Sequence, residues 1–163
     1  KRNMTAEQIE QARPMMENMI KYTAPLAPLL TTPLIYALIA AVLLFVGNVI
    51  LGGEARFATL FSVTYWAGMI SLLGSIINVP IMMNRQVMES ATSLGSLFPS
   101  EEKQSFFHNL LGQIELFTLW WVVVLGFGLA AAAKFSTRKA MPAVFIAWAI
   151  FAVAGAAIKT MFS

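Results

Sequence analysis

The stretch that decides the fold is Glu115-Leu-Phe-Thr-Leu-Trp-Trp-Val-Val-Val-Leu-Gly-Phe-Gly-Leu-Ala-Ala-Ala-Ala133: one carboxylate, a tryptophan pair, and then no ionisable group. A charged side chain stays in water, and indoles favour the headgroup boundary. The uncharged run from Leu116 to Ala133, at 1.5 Å per residue in a helix, nearly crosses a hydrocarbon layer. The pattern predicts one membrane-spanning helix over 116–133, read inward from Glu115.

Composition extends the reading to the whole chain. With 58% hydrophobic and 12% charged residues over 163 positions, and a mean hydropathy of +0.72, there are too few charges to clothe a soluble globule. The absence of cysteine excludes disulfides, thiolate metal sites and a thiol nucleophile, and the chain has no aspartate. A formal charge of +3 could suggest nucleic acid, but the basic residues are scattered between apolar runs and read as topology signals instead. No nucleic-acid partner is expected.

Upstream, Thr5 and Gln8 have capping-box spacing, and Ile9, Ala12, Met16 and Met19 follow at three and four residues. They predict an amphipathic helix over 5–20, bent or restarted at Pro14, within a segment 1–23, lying on the membrane surface or packed against a partner. From Tyr22 to Gly53 nothing is charged, and Pro25, Pro28 and Pro33 divide the run into an irregular lead and a span over 32–51. Gly52-Gly53-Glu54-Ala55-Arg56 supplies a helix stop and a turn. A second span over 57–80 then closes a helical hairpin. On it Ala67, Ser71, Gly74 and Asn78 recur at four, three and four residues, a small and weakly polar face suited to close helix packing.

Pro80 is expected to end the second span. The segment 85–115 is the one long polar stretch, with little structure at 90–95 and a helix start at Pro99-Ser100-Glu101-Glu102. A second surface helix over 101–115 should place Phe106, Phe107, Leu110, Leu111 and Ile114 on one side, with His108, Asn109 and Gln113 turned elsewhere. Trp120 and Trp121 fit an interfacial anchor. The third span ends at Lys134, and after Lys134-Phe-Ser-Thr-Arg-Lys139 a fourth span covers 141–158, with Ala149, Ala152 and Ala156 as its small-residue face. The fold class is thus an all-α, polytopic membrane bundle of four spans over 24–163, in contact with membrane lipids.

Orientation follows from charge density. The side holding the amino terminus, the long loop and Lys159 has seven Lys or Arg against four on the other, but Arg56 and the Lys134, Arg138, Lys139 cluster sit in very short turns, where the positive-inside rule is strongest. The two short turns are therefore expected in the cytoplasm.

Leu51-Gly-Gly-Glu-Ala-Arg-Phe57 leading into a span with Tyr65, then Leu116-Phe-Thr-Leu-Trp120 and Leu125-Gly-Phe-Gly-Leu-Ala130, resembles the bacterial branch of the Yip (Ypt-interacting protein) domain family. The likeness covers most of the chain. It implies about five spans, so that one lies before Lys1 or is not part of this chain, an amino terminus in the cytoplasm, a bacterial inner-membrane location and no established enzymatic activity. It implies an accessory membrane subunit, in some bacterial cases accompanying an ABC-type exporter. Two departures stand out: Glu115 occupies a position that is often aspartate in such proteins, and the Tyr-Pro element of eukaryotic relatives is not evident.

Chemistry is sparse. His108 is the one imidazole, which excludes multi-histidine metal or bis-histidine haem sites within one chain and leaves a lone pigment ligand against an exposed interfacial histidine. A hydrolase triad would have to recruit Glu115, Glu101 or Glu102. No cofactor is expected. Glu115 is the leading candidate, either as a carboxylate stabilised by the helix dipole, with Thr118 satisfying a nearby backbone group, or as one that pairs with an arginine, for which topology favours Arg85 over Arg56, or binds a partner or a proton. Gly74 and Ala152 mark the faces that would dock onto other membrane subunits. Two functions remain: a non-catalytic scaffold or accessory subunit, and a small transporter or channel with a path lined by Asn48, Asn78 and Glu115.

Overall fold

The computed structural model describes residues 6–85, 90–98 and 105–161. Its elements are α1 (Ala6–Leu44), a π-helical segment (Phe45–Ile50), α2 (Phe57–Arg85), α3 (Leu94–Leu97), α4 (Phe106–Gln113), α5 (Leu116–Ala133) and α6 (Thr137–Met161). Among the described residues the one β feature is an isolated antiparallel bridge between Ser93 and Glu115. Within the described residues, four helical stretches are long and apolar enough to cross a membrane: Leu26–Ile50, Phe57–Asn84, Leu116–Ala133 and Thr137–Met161. The third has the bounds expected from sequence, and the others run longer.

In the first two spans the extra length comes from helix continuing through proline. Helix α1 is continuous through Pro14, Pro25, Pro28 and Pro33, and α2 through Pro80, so neither the irregular lead at 22–32 nor the stop at Pro80 is found. A proline removes one helical hydrogen bond and strains another. Leaving the helix in an apolar medium would strand several backbone groups at once, which costs more.

The chain forms two compact units, Lys1–Leu38 and Ile39–Ser163. The first is helical from Ala6, and its Leu26, Leu29, Leu30 and Leu34 are exposed, as suits side chains facing lipid. The amphipathic stripe expected at Ile9, Ala12 and Met16 falls on side chains outside the described set, as do Thr5 and the helix start at 99–102.

In the second unit α5 is central, packed against α2 on one side and α6 on the other. Leu129 and Val122 of α5 are fully buried with Leu60 and Thr64 of α2. The Leu125-Gly-Phe-Gly-Leu run explains how one helix serves two neighbours. A Cβ at Gly126 would lie 2.5 Å from Met141 Sδ of α6, and one at Gly128 would collide with Val63 of α2. The two glycines point to opposite sides of the helix, and each admits a close neighbour. Phe127 between them is exposed. Lipid is as apolar as these side chains, so close contact of this kind is what favours helix on helix.

The small-residue faces are used internally. Gly74 is buried against Phe117, where a Cβ would stand 3.0 Å from Cγ. Ala67, Ala152 and Ala156 are buried too, whereas Ser71 and Ala149 are exposed.

Both short turns lie at one end of this unit. Gly52, at φ 72, reverses the chain. The side chain of Asn48 then closes the turn: its Nδ2 donates to the Ala55 carbonyl at 2.8 Å, and the Ala55 N–H donates to its Oδ1 at 2.9 Å. Lys134, left-handed at φ 57, ends α5, and the Lys139 ammonium donates to the Leu51 carbonyl at 2.8 Å, joining the turns.

Candidate functional site

Glu115 caps α5. It is extended, and its Oε2 accepts from the Thr118 N–H and from the Thr118 hydroxyl, both at 2.9 Å. Glutamate is not among the favoured N-caps, and two further contacts hold it in place. Oε1 accepts from the Thr92 hydroxyl at 2.6 Å and from the Asn78 amide at 3.2 Å. The same Asn78 amide donates to Thr92 Oγ1 at 3.0 Å, and the Ser90 and Thr92 hydroxyls lie 3.1 Å apart. One carboxylate thus joins α2, the segment after it and the start of α5.

The backbone reinforces this junction. Leu94 N–H donates to the Ile114 carbonyl at 2.9 Å and Leu116 N–H to the Thr92 carbonyl at 3.3 Å, on either side of the Ser93–Glu115 bridge. Ser93 then caps α3, accepting from the Ser96 N–H. Gly95 presses against the backbone of Gly112 in α4, where a Cβ would be 3.2 Å away. The segment read as low in structure is therefore densely hydrogen-bonded, built from serine and threonine side chains satisfying local backbone.

Electrostatically, burial alone pushes the Glu115 carboxyl up. The hydrogen bonds from Thr92, from the Thr118 hydroxyl and N–H, and from the Phe117 N–H outweigh it and hold the group below the usual carboxylate value. All donors around Glu115 among the described residues are neutral. The pairing expected with Arg85 falls on a side chain outside the described set; Arg56 is exposed in the turn after Asn48, at the other end of α2. Thr118 serves the Glu115 carboxylate itself.

Beside the junction a groove of about 320 Å³ opens, lined by Ser71, Ser75, Asn78, Gln113, Glu115 and Thr118 among others. Of the three path residues expected for a transporter, Asn78 and Glu115 meet here. Asn48 is spent on its turn, and from Phe57 to Asn78 helix α2 runs about 30 Å.

Two further expectations are corrected. His108 is buried, not exposed, as is Asn109, whose amide donates to Thr160 Oγ1 of α6 at 3.1 Å. The aromatic side of α4, Phe106 and Phe107, faces outward. At a lipid boundary the polar face of a short helix can turn inward and the apolar face out. Of the tryptophan pair, Trp120 is half exposed and suits the interfacial anchor, but Trp121 packs against the core with its Nε1 buried and unpartnered in the described structure. Thr92 and Ser90 were not legible as site residues; the only sequence signal was a run of small hydroxyl side chains just ahead of a helix.

A chain whose described residues form several long, mainly apolar helices packed through glycine contacts is a polytopic integral membrane protein. More narrowly, the family model described as the Yip1 domain matches residues 3–158, and the chain belongs to that family. No curated protein and no solved structure matches it.

Proposed function

We propose that the chain is a non-catalytic scaffold or accessory subunit of a larger complex in a bacterial inner membrane. One observation carries this reading: the carboxylate beside the polar groove accepts hydrogen bonds from its own chain at both oxygens, from Thr92 and Asn78 at Oε1 and twice from Thr118 at Oε2, besides the Phe117 N–H. An ionised carboxylate has about four such acceptor positions, so Glu115 is committed to architecture and has little capacity left for proton relay or nucleophilic chemistry. The transport alternative needs polar groups along one path, and Asn48 lies a helix length from the other two. Partner subunits would meet the exposed faces, since Gly74 and Ala152 are occupied within the chain. An ABC-type exporter is the partner class that the family resemblance suggests.

The test is purification in mild detergent followed by reconstitution. A defined larger complex with no solute flux from the chain alone supports the scaffold reading. A self-sufficient oligomer that conducts in liposomes, and loses flux on Asn78→Ala, would replace it with transport.

A further inference from the structure

The first span does not finish as an α-helix. Over Phe45–Ile50 the backbone widens into a π turn, and the Leu51 N–H reaches back five residues to the Val46 carbonyl at 3.0 Å. Such turns are rare and often mark functional positions. One side of this one packs inward, with Gly47 so close to Leu129 that a Cβ would be 2.8 Å from Cδ1. The other side presents Phe45 and Ile50, both exposed. With Ile146 and Phe151 of α6 they line an apolar groove of about 500 Å³, to which the small Ala143 and Ala147 also contribute.

Among the described residues that line it, the groove has one charged group, Lys139, at the end where the two short turns meet. Its Nζ is held by the Leu51 carbonyl at 2.8 Å and stands 4.4 Å from the centre of the Phe135 ring. An ammonium has three donors, and Leu51 takes one. Lys134 and Arg138, both exposed, belong to the same turn. From Lys139 to Phe151 helix α6 rises about 18 Å, close to the depth of one leaflet of a hydrocarbon layer about 30 Å thick.

We infer that this groove is a binding site for an anionic glycerophospholipid, with the phosphate at Lys139 and an acyl chain lying between the π segment and α6. A cation fixed at the rim of an apolar slot one leaflet deep matches a molecule with an anionic head and a tail of that length. Basic pockets between spanning helices bind such headgroups. The site is separate from the Glu115 junction and does not depend on the scaffold reading.

Native mass spectrometry of the full chain in mild detergent, with phosphatidylglycerol and phosphatidylcholine of identical acyl chains as probes, tests it. Phosphatidylglycerol should be retained in preference. Lys139→Gln should lower that preference about fivefold, in line with the worth of one basic residue at an anionic surface, while Lys139→Arg keeps it. Ala147→Phe, which fills the slot, should lower retention of both lipids. The proposal is overturned if Arg56→Gln, at the same end but outside the groove, lowers the preference as much as Lys139→Gln, because the effect would then be surface charge alone. It is also overturned if Ala147→Phe leaves lipid retention unchanged, including the case in which a protein partner is lost instead.

Discussion

The hydroxyl of Thr92 donates to Oε1 of Glu115 at 2.6 Å across 23 positions of sequence. It is the shortest bond of the junction, and it fastens the segment after the second span to the residue that starts the third. Asn78 bridges the same two groups from α2.

Removing that donor should loosen the junction. Thr92→Val keeps the shape and leaves the carboxylate one hydrogen bond short, a loss of about 1–3 kcal/mol for a partly buried charged acceptor. Thermal unfolding in mild detergent measures it, alone and combined with Glu115→Gln. Residues in direct contact should be non-additive, so two losses that sum to within about 0.5 kcal/mol would show that the bond carries no coupling.

Acid should act through the same carboxylate. Its hydrogen bonds lower the folded-state pKa relative to the unfolded chain, so its stabilisation is present above the unfolded value of about 4.3 and is lost as pH falls from there through the lower folded value. The expected result is a fall in unfolding temperature below about pH 4.3 that is shallower in Glu115→Gln. Parallel curves for the two proteins would assign the acid sensitivity to other groups.

Added bulk at Gly74 should harm the single chain before it harms any assembly. The nearest obstacle is Phe117 of the same molecule, and overpacking a filled contact costs about 1–3 kcal/mol. Gly74→Leu should therefore lower the unfolding temperature of the isolated protein, and Phe117→Ala in the same chain should recover part of it. Ala152→Leu, at a buried position of α6, should behave likewise. If both variants unfold like the parent and lose only a partner, those faces are docking surfaces after all.

Sidedness can be read by labelling introduced cysteines, since the native chain has none. Glu54 and Ser136 are exposed in the two turns that Lys139 joins, and Leu97 is exposed in the polar segment beyond the other end of α2. Glu54→Cys and Ser136→Cys should react from the cytoplasm, and Leu97→Cys from the opposite face. Reaction of Leu97→Cys and Ser136→Cys from the same side contradicts the arrangement.

The spans themselves were legible in the sequence because hydrocarbon is a uniform solvent: a charge in it is expensive anywhere, so an uncharged run of sufficient length declares itself without knowledge of its neighbours. Leu116–Ala133 was bounded correctly by Glu115 and Lys134 for that reason, and Glu115 drew notice as the last acid before a span. What depends on which faces meet was decided only by tertiary structure. The same medium that makes charges legible also holds helices together through prolines, so Pro28, Pro33 and Pro80, all within the spans, misled. Thr92 and Ser90 carry no periodicity, and their place beside Glu115 follows from a chain reversal that brings residues 23 positions apart into contact. Gly126 and Gly128 look alike in sequence, yet one receives Met141 and the other Val63, because successive even positions on a helix face opposite neighbours. Asn109 turns inward because a short helix between bundle and lipid can hydrogen-bond Thr160 of α6, a contact that exists only once α6 is there to meet it.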